Sequence, residues 1–105
     1  MTQTEIDILV IARIKLHGIT DPILSKEIEQ DFNIDGNKIR DIVREARRKG
    51  IMIASTGGSR RGYFLAKSRM ELQPTIDDIR GRGNSLFATA AAMEKSFEGL
   101  QEGLF

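Results

Sequence analysis

Cysteine and tryptophan are absent from this 105-residue chain, which holds one histidine, one tyrosine and two prolines. Without cysteine there is no disulfide framework, no thiolate metal site and no thiol nucleophile. A single histidine removes most zinc and histidine-based catalytic schemes. No apolar run reaches the roughly 18 residues that a membrane-spanning helix needs. The most apolar stretch, Ile6 to Ile14, follows Glu5, contains Asp7 and is interrupted by Arg13, which is not the pattern of a signal peptide. A soluble cytoplasmic protein with no cofactor and no membrane contact is the expectation. Net charge is scarce too, at +1.

With 40% hydrophobic and 30% charged residues, the composition is globular and too apolar for intrinsic disorder. The length suits one compact domain with an appended helix. The charge, near zero in total, is uneven along the chain. Residues 1–37 are net −4, residues 38–69 carry ten basic against two acidic side chains for net +8, and residues 70–105 are net −3. Such a polarised chain points to an anionic partner for its middle third.

Thr4-x-x-Asp7 is an N-cap candidate for a first helix carrying Ile6, Leu9, Val10 and Ile14, with Gly18 as its stop. Asp21-Pro22 reads as the start of a second helix with Leu24, Ile28 and Phe32 on one face; Ser25 is a competing later start. Turn residues Asn33 to Gly36 follow, with Asp35 as cap for a third helix from about Gly36 to Lys49. Its stripe is Ile39, Ile42, Val43 and Ala46, and Gly50 ends it. Ile51–Ala54 and Tyr63–Ala66 are β-prone runs around a Gly-rich loop, which predicts a hairpin. By alternation one of Tyr63 and Phe64 faces the core and the other faces out. Ser68-x-x-Glu71 is a capping box for a last helical segment, which Pro74 is expected to break.

The segments Ile34–Val43, Arg47–Ile53 and Gly62–Ala66 resemble those of winged helix-turn-helix DNA-binding domains, especially small ones common in phage and bacterial genomes. The resemblance covers residues 5 to 67. It implies a mainly α fold with a small β-hairpin, and a sequence-specific double-stranded DNA-binding protein, typically a small transcriptional regulator. A replication or recombination accessory protein, or a winged helix that binds proteins and not DNA, would use the same fold.

The residue chemistry agrees. Opposite the apolar stripe, the third helix places Asn37, Asp41, Arg44 and Arg48, with Arg40 on a flank. A helix fits the major groove, where Arg forks onto guanine and Asn pairs with adenine. Asn37, Arg40 and Arg44 are candidates for base edges or nearby phosphates. Lys38, Arg47, Arg48 and Lys49 are the further basic contacts, the last three suited to DNA backbone, and Arg60 and Arg61 on the hairpin loop would grip phosphates or the minor groove.

Other motifs carry less. Gly57-Gly58 lacks the context of a nucleotide-binding loop. Asp77-Asp78 are adjacent and cannot face each other on a helix, and no nucleophile–base pair is legible, so no enzymatic activity is expected. His17 suits capping of the first helix C-terminus. From Leu72 to Leu104, apolar or small residues recur at alternating gaps of four and three. Such a heptad seam makes residues 68–105 a self-association segment, with Ile76, Ile79, Leu86, Ala90, Met93 and Phe97 as dimerisation candidates. Packing of that helix on its own domain, residues 1–67, is the alternative.

Overall fold

A computed structural model describes residues 1–57 and 61–101, and shows a mainly helical chain with a small antiparallel sheet. It has two compact units that meet in sequence at Thr75 and Ile76. Among the described residues, no helix is long and apolar enough to cross a membrane.

In the first unit, α1 (Gln3–Lys15) is capped two residues earlier than Thr4-x-x-Asp7 suggests. Thr2 Oγ1 accepts the Glu5 N–H at 3.2 Å and donates to the Glu5 carboxylate at 3.1 Å, which makes Thr2-x-x-Glu5 the better-matched pair. The end of α1 does not use Gly18 as a left-handed stop. Instead Asp21 closes the following loop: its carboxylate accepts the Gly18 N–H at 3.0 Å, and its carbonyl meets His17 Nδ1 at 2.7 Å. Asp21 is therefore a loop clasp and not the cap of the second helix.

The chain next forms a two-residue strand, β1 (Ile23–Leu24), and the later start prevails for α2 (Ser25–Phe32). The Leu24 cap has no side-chain acceptor, but the Ser25 N–H reaches the Arg61 carbonyl at 2.9 Å. Sheet backbone thus does the work of a cap. Asn33, in left-handed conformation at φ 53°, ends α2 and leads through a short turn into α3 (Gly36–Arg48). Asp35 caps α3 through the Lys38 N–H at 2.9 Å, and Gly50 takes φ +93° just beyond its end.

Strands β2 (Ile53–Thr56) and β3 (Gly62–Leu65) form the expected hairpin, but β1 adds to it, and the sheet order is β1-β3-β2. Gly62 is flanked on both sides, paired with Leu24 and with Thr56. A Cβ there would lie 3.0 Å from the Ile23 carbonyl and 3.2 Å from Thr56 Oγ1, so the close approach of three strands is what requires glycine.

One core joins the three helices to the sheet: Val10 and Ile14 of α1, Ile28 of α2, the inner face of α3, and Ile23, Ile53 and Tyr63. Each such isoleucine contributes roughly 1.5–3 kcal/mol by leaving water. The other sheet face is covered as well. Phe64, with Ala54 and Ala66, packs against Leu72 of α4 (Arg69–Gln101). Both aromatics of β3 are therefore buried, at 3% exposure each. Alternation holds, but neither side of the strand faces solvent.

This cover explains why the first unit extends past Lys67 to Thr75, whose hydroxyl accepts the Ser55 N–H at 3.0 Å. Leu72, a heptad position by spacing, belongs to this small cluster. The capping box at Ser68 forms, with the Glu71 N–H on Ser68 Oγ at 3.2 Å. Pro74 does not break the helix. It lies close to the N-terminal end, where its missing N–H costs only the bond to the Met70 carbonyl, and the Thr75 and Leu72 contacts hold the turn in place.

Candidate nucleic-acid interface

Helix α3 is amphipathic by construction. Ile39, Ile42, Val43 and Ala46 are buried at 5% exposure or less, which fixes the helix rotation and turns Asn37, Arg40, Asp41, Arg44 and Arg48 to solvent. The cations on this face are held in reach of their own helix. Arg40 Nη1 donates to the Asn37 side-chain oxygen, Arg44 pairs with Asp41 at 3.0 Å, and Arg48 stands 3.8 Å from Glu45. Exposed pairs like these are worth about 0–1 kcal/mol, so they orient the guanidinium groups without locking them. Lys38 is half-buried beside the Asp35 cap, and Lys49 is exposed at the C-terminal end of α3.

Arg47 behaves differently. It is half-buried, and its Nε donates to the Ile53 carbonyl at 2.9 Å, tying α3 to β2. Its place in the sequence carried that signal, because it follows Val43 by one helical turn and so borders the buried stripe. Arg61 is exposed, and its carbonyl holds the start of α2. Arg60 lies outside the described residues, as do Gly58 and Ser59.

Two features of this surface were not legible in the residue pattern. The first is Lys26, exposed next to Ser25 and so brought to the Arg61 end of the sheet by the Ser25–Arg61 backbone bond. The second is that the buried Tyr63 lies within the field of Arg61, Arg47 and Arg40. Burial raises the phenol pKa above 10.0, the nearby charges of Arg61, Arg47 and Arg40 pull it back, and Glu29 pushes it up. Comparison with family models, curated proteins and solved structures returns no match.

As the chain's one tyrosine, Tyr63 gives a clean optical readout. Its titration in the folded protein, followed by absorbance near 295 nm, is expected above pH 10.0, with the urea-unfolded chain titrating at the ordinary value. The neutral phenol then contributes stability that is complete below pH 10.0 and is lost as pH rises through the folded value. Tyr63→Phe should remove that alkaline loss; an unchanged alkaline midpoint would show that another group causes it.

On α4 the dimerisation candidates divide. Ile76 is half-buried, whereas Ile79, Leu86, Met93 and Phe97 are 41%, 72%, 69% and 59% exposed, and Ala90 is exposed. Phe87, off the heptad seam, is 78% exposed and was not singled out by spacing. The Leu100 side chain and Leu104 lie outside the described residues. Asp78 pairs with Arg82 one turn on, at 3.1 Å, as a surface ion pair.

Proposed function

We propose that the chain is a sequence-specific double-stranded DNA-binding protein of the winged helix-turn-helix type, a small cytoplasmic transcriptional regulator of phage or mobile-element kind. Helix α3 enters the major groove, the Arg61 end of the hairpin lies on the backbone, and the exposed apolar positions of α4 pair two copies. The observation that carries this reading is the outward face of α3. There, three arginines and an asparagine stand in solvent on a helix whose opposite side is locked into the core. That is the geometry a reader of base edges needs. Nothing in the reading calls for catalysis or a cofactor.

Fluorescence anisotropy of the full chain on mixed duplex DNA, across salt concentrations, tests it. Binding should weaken linearly in log–log form, each phosphate contact adding roughly 0.9 to the slope. Absent or salt-independent binding would sink the DNA assignment and leave a protein-docking role for the same fold. In the same samples, Leu86→Asp and Met93→Asp should lower the sedimenting mass by half while the far-UV spectrum stays the same. Unchanged mass would refute pairing through α4.

A further inference from the structure

We propose that Asp41 is a specificity-determining residue that selects a cytosine, and with it a G·C pair, opposite the middle of α3; this rests on the duplex-DNA reading above. Asp41 stands on the outward face of α3 among Asn37, Arg40, Arg44 and Arg48, with Glu45 one turn further on. Its side chain is 62% exposed, and its carboxylate lies 3.0 Å from Arg44 Nη1. A helix that needed only phosphates would lose by carrying a carboxylate there, since the DNA backbone repels it.

The pair makes sense against a base edge. An ionised carboxylate is acceptor-only and a guanidinium is donor-only. Side by side they match a C·G pair, whose major-groove edge sets the cytosine N4 donor beside the O6 and N7 acceptors of guanine. On an A·T pair, Arg44 would lose the O6/N7 fork. Asp41 would also meet an N6 donor flanked by the N7 acceptor of the same base. The Asp41–Arg44 contact of the free protein is weak enough to open onto such an edge.

Glu45 supplies an internal control. It carries the same charge on the same exposed side of α3, one turn further along the axis, where it stands 3.8 Å from Arg48 and not beside Arg44. Neutralising it should leave the cytosine preference opposite Asp41 in place.

The experiment selects bound duplexes from a random pool with wild type, Asp41→Asn and Glu45→Gln, followed by anisotropy on the selected site and its single-pair variants. Wild type should enrich C·G at one position, and replacing that pair with T·A should cost about fivefold or more in affinity. Asp41→Asn should lose this preference and shift it towards adenine, whose N6/N7 edge an asparagine matches. Glu45→Gln should keep cytosine. A tighter Kd for Asp41→Asn with the same selected base would overturn the proposal, because general electrostatics would then explain the residue. Selection of the same base by all three chains would overturn it too. If the wild type binds no duplex at any salt concentration, the DNA reading itself fails. Melting of each variant within a few degrees of wild type, expected for so exposed a position, separates these outcomes from misfolding.

Discussion

Ile39→Ala is expected to cost about 3 kcal/mol of folding stability, within the range for truncating a fully buried isoleucine. Ile39 is 0% exposed and shares one cluster with Val10 and Ile14 of α1 and Ile28 of α2, so the cavity opens where three helices meet. A rigid junction of this kind relaxes little, which places the cost well above the transfer term alone. In a domain whose total stability is of order 5–10 kcal/mol, the loss moves the urea midpoint by a large fraction of its value. Circular dichroism on the full chain reads it. Leu16→Ala, just past the end of α1 at a side chain 79% exposed, is the matched control and should stay within about 0.5 kcal/mol. A cost below about 1 kcal/mol at Ile39 would mean that the inner face of α3 is not packed. The outward array of arginines would then have no fixed orientation.

How the chain arrives at that orientation shows what a residue pattern carries. The third helix is legible because each of its signals is local: a cap at Asp35, a four-residue apolar stripe at helical spacing, and a left-handed glycine just past the end. The features that stay hidden depend on neighbours far away in sequence. A strand of two residues has no period to detect, so Ile23–Leu24 acquires its character only by pairing with Gly62 and Tyr63. By alternation one of Tyr63 and Phe64 reads as outward, and both are buried because Leu72 arrives from a helix that Pro74 is expected to break. The spacing of Arg47 one turn after Val43 marks it as bordering the buried stripe, but the partner that holds it there lies on a strand. The Ile53 carbonyl makes the two arginines unequal by drawing Arg47 inward and leaving Arg44 outside.

That inequality leads to the largest effect expected on binding. Arg40→Ala together with Arg44→Ala should weaken duplex binding by roughly 2–6 kcal/mol, if each arginine is worth about 1–3 kcal/mol and the two act independently. The lower end already corresponds to about thirtyfold in Kd. Both side chains are exposed, and their partners, Asn37 and Asp41, are exposed too, so stability should change by no more than about 0.5 kcal/mol. Arg47→Ala should show the reverse pattern. It removes the Nε donor from the Ile53 carbonyl and should cost about 1–2 kcal/mol of stability, while its effect on binding, measured where the variant is fully folded, stays small. Parallel urea titrations and anisotropy curves on the three chains give the two quantities separately. If instead Arg47→Ala abolished binding and the double variant retained it, the solvent face of α3 would not be the recognition surface. Arg47 and Arg61, whose charges both reach Tyr63, would take its place.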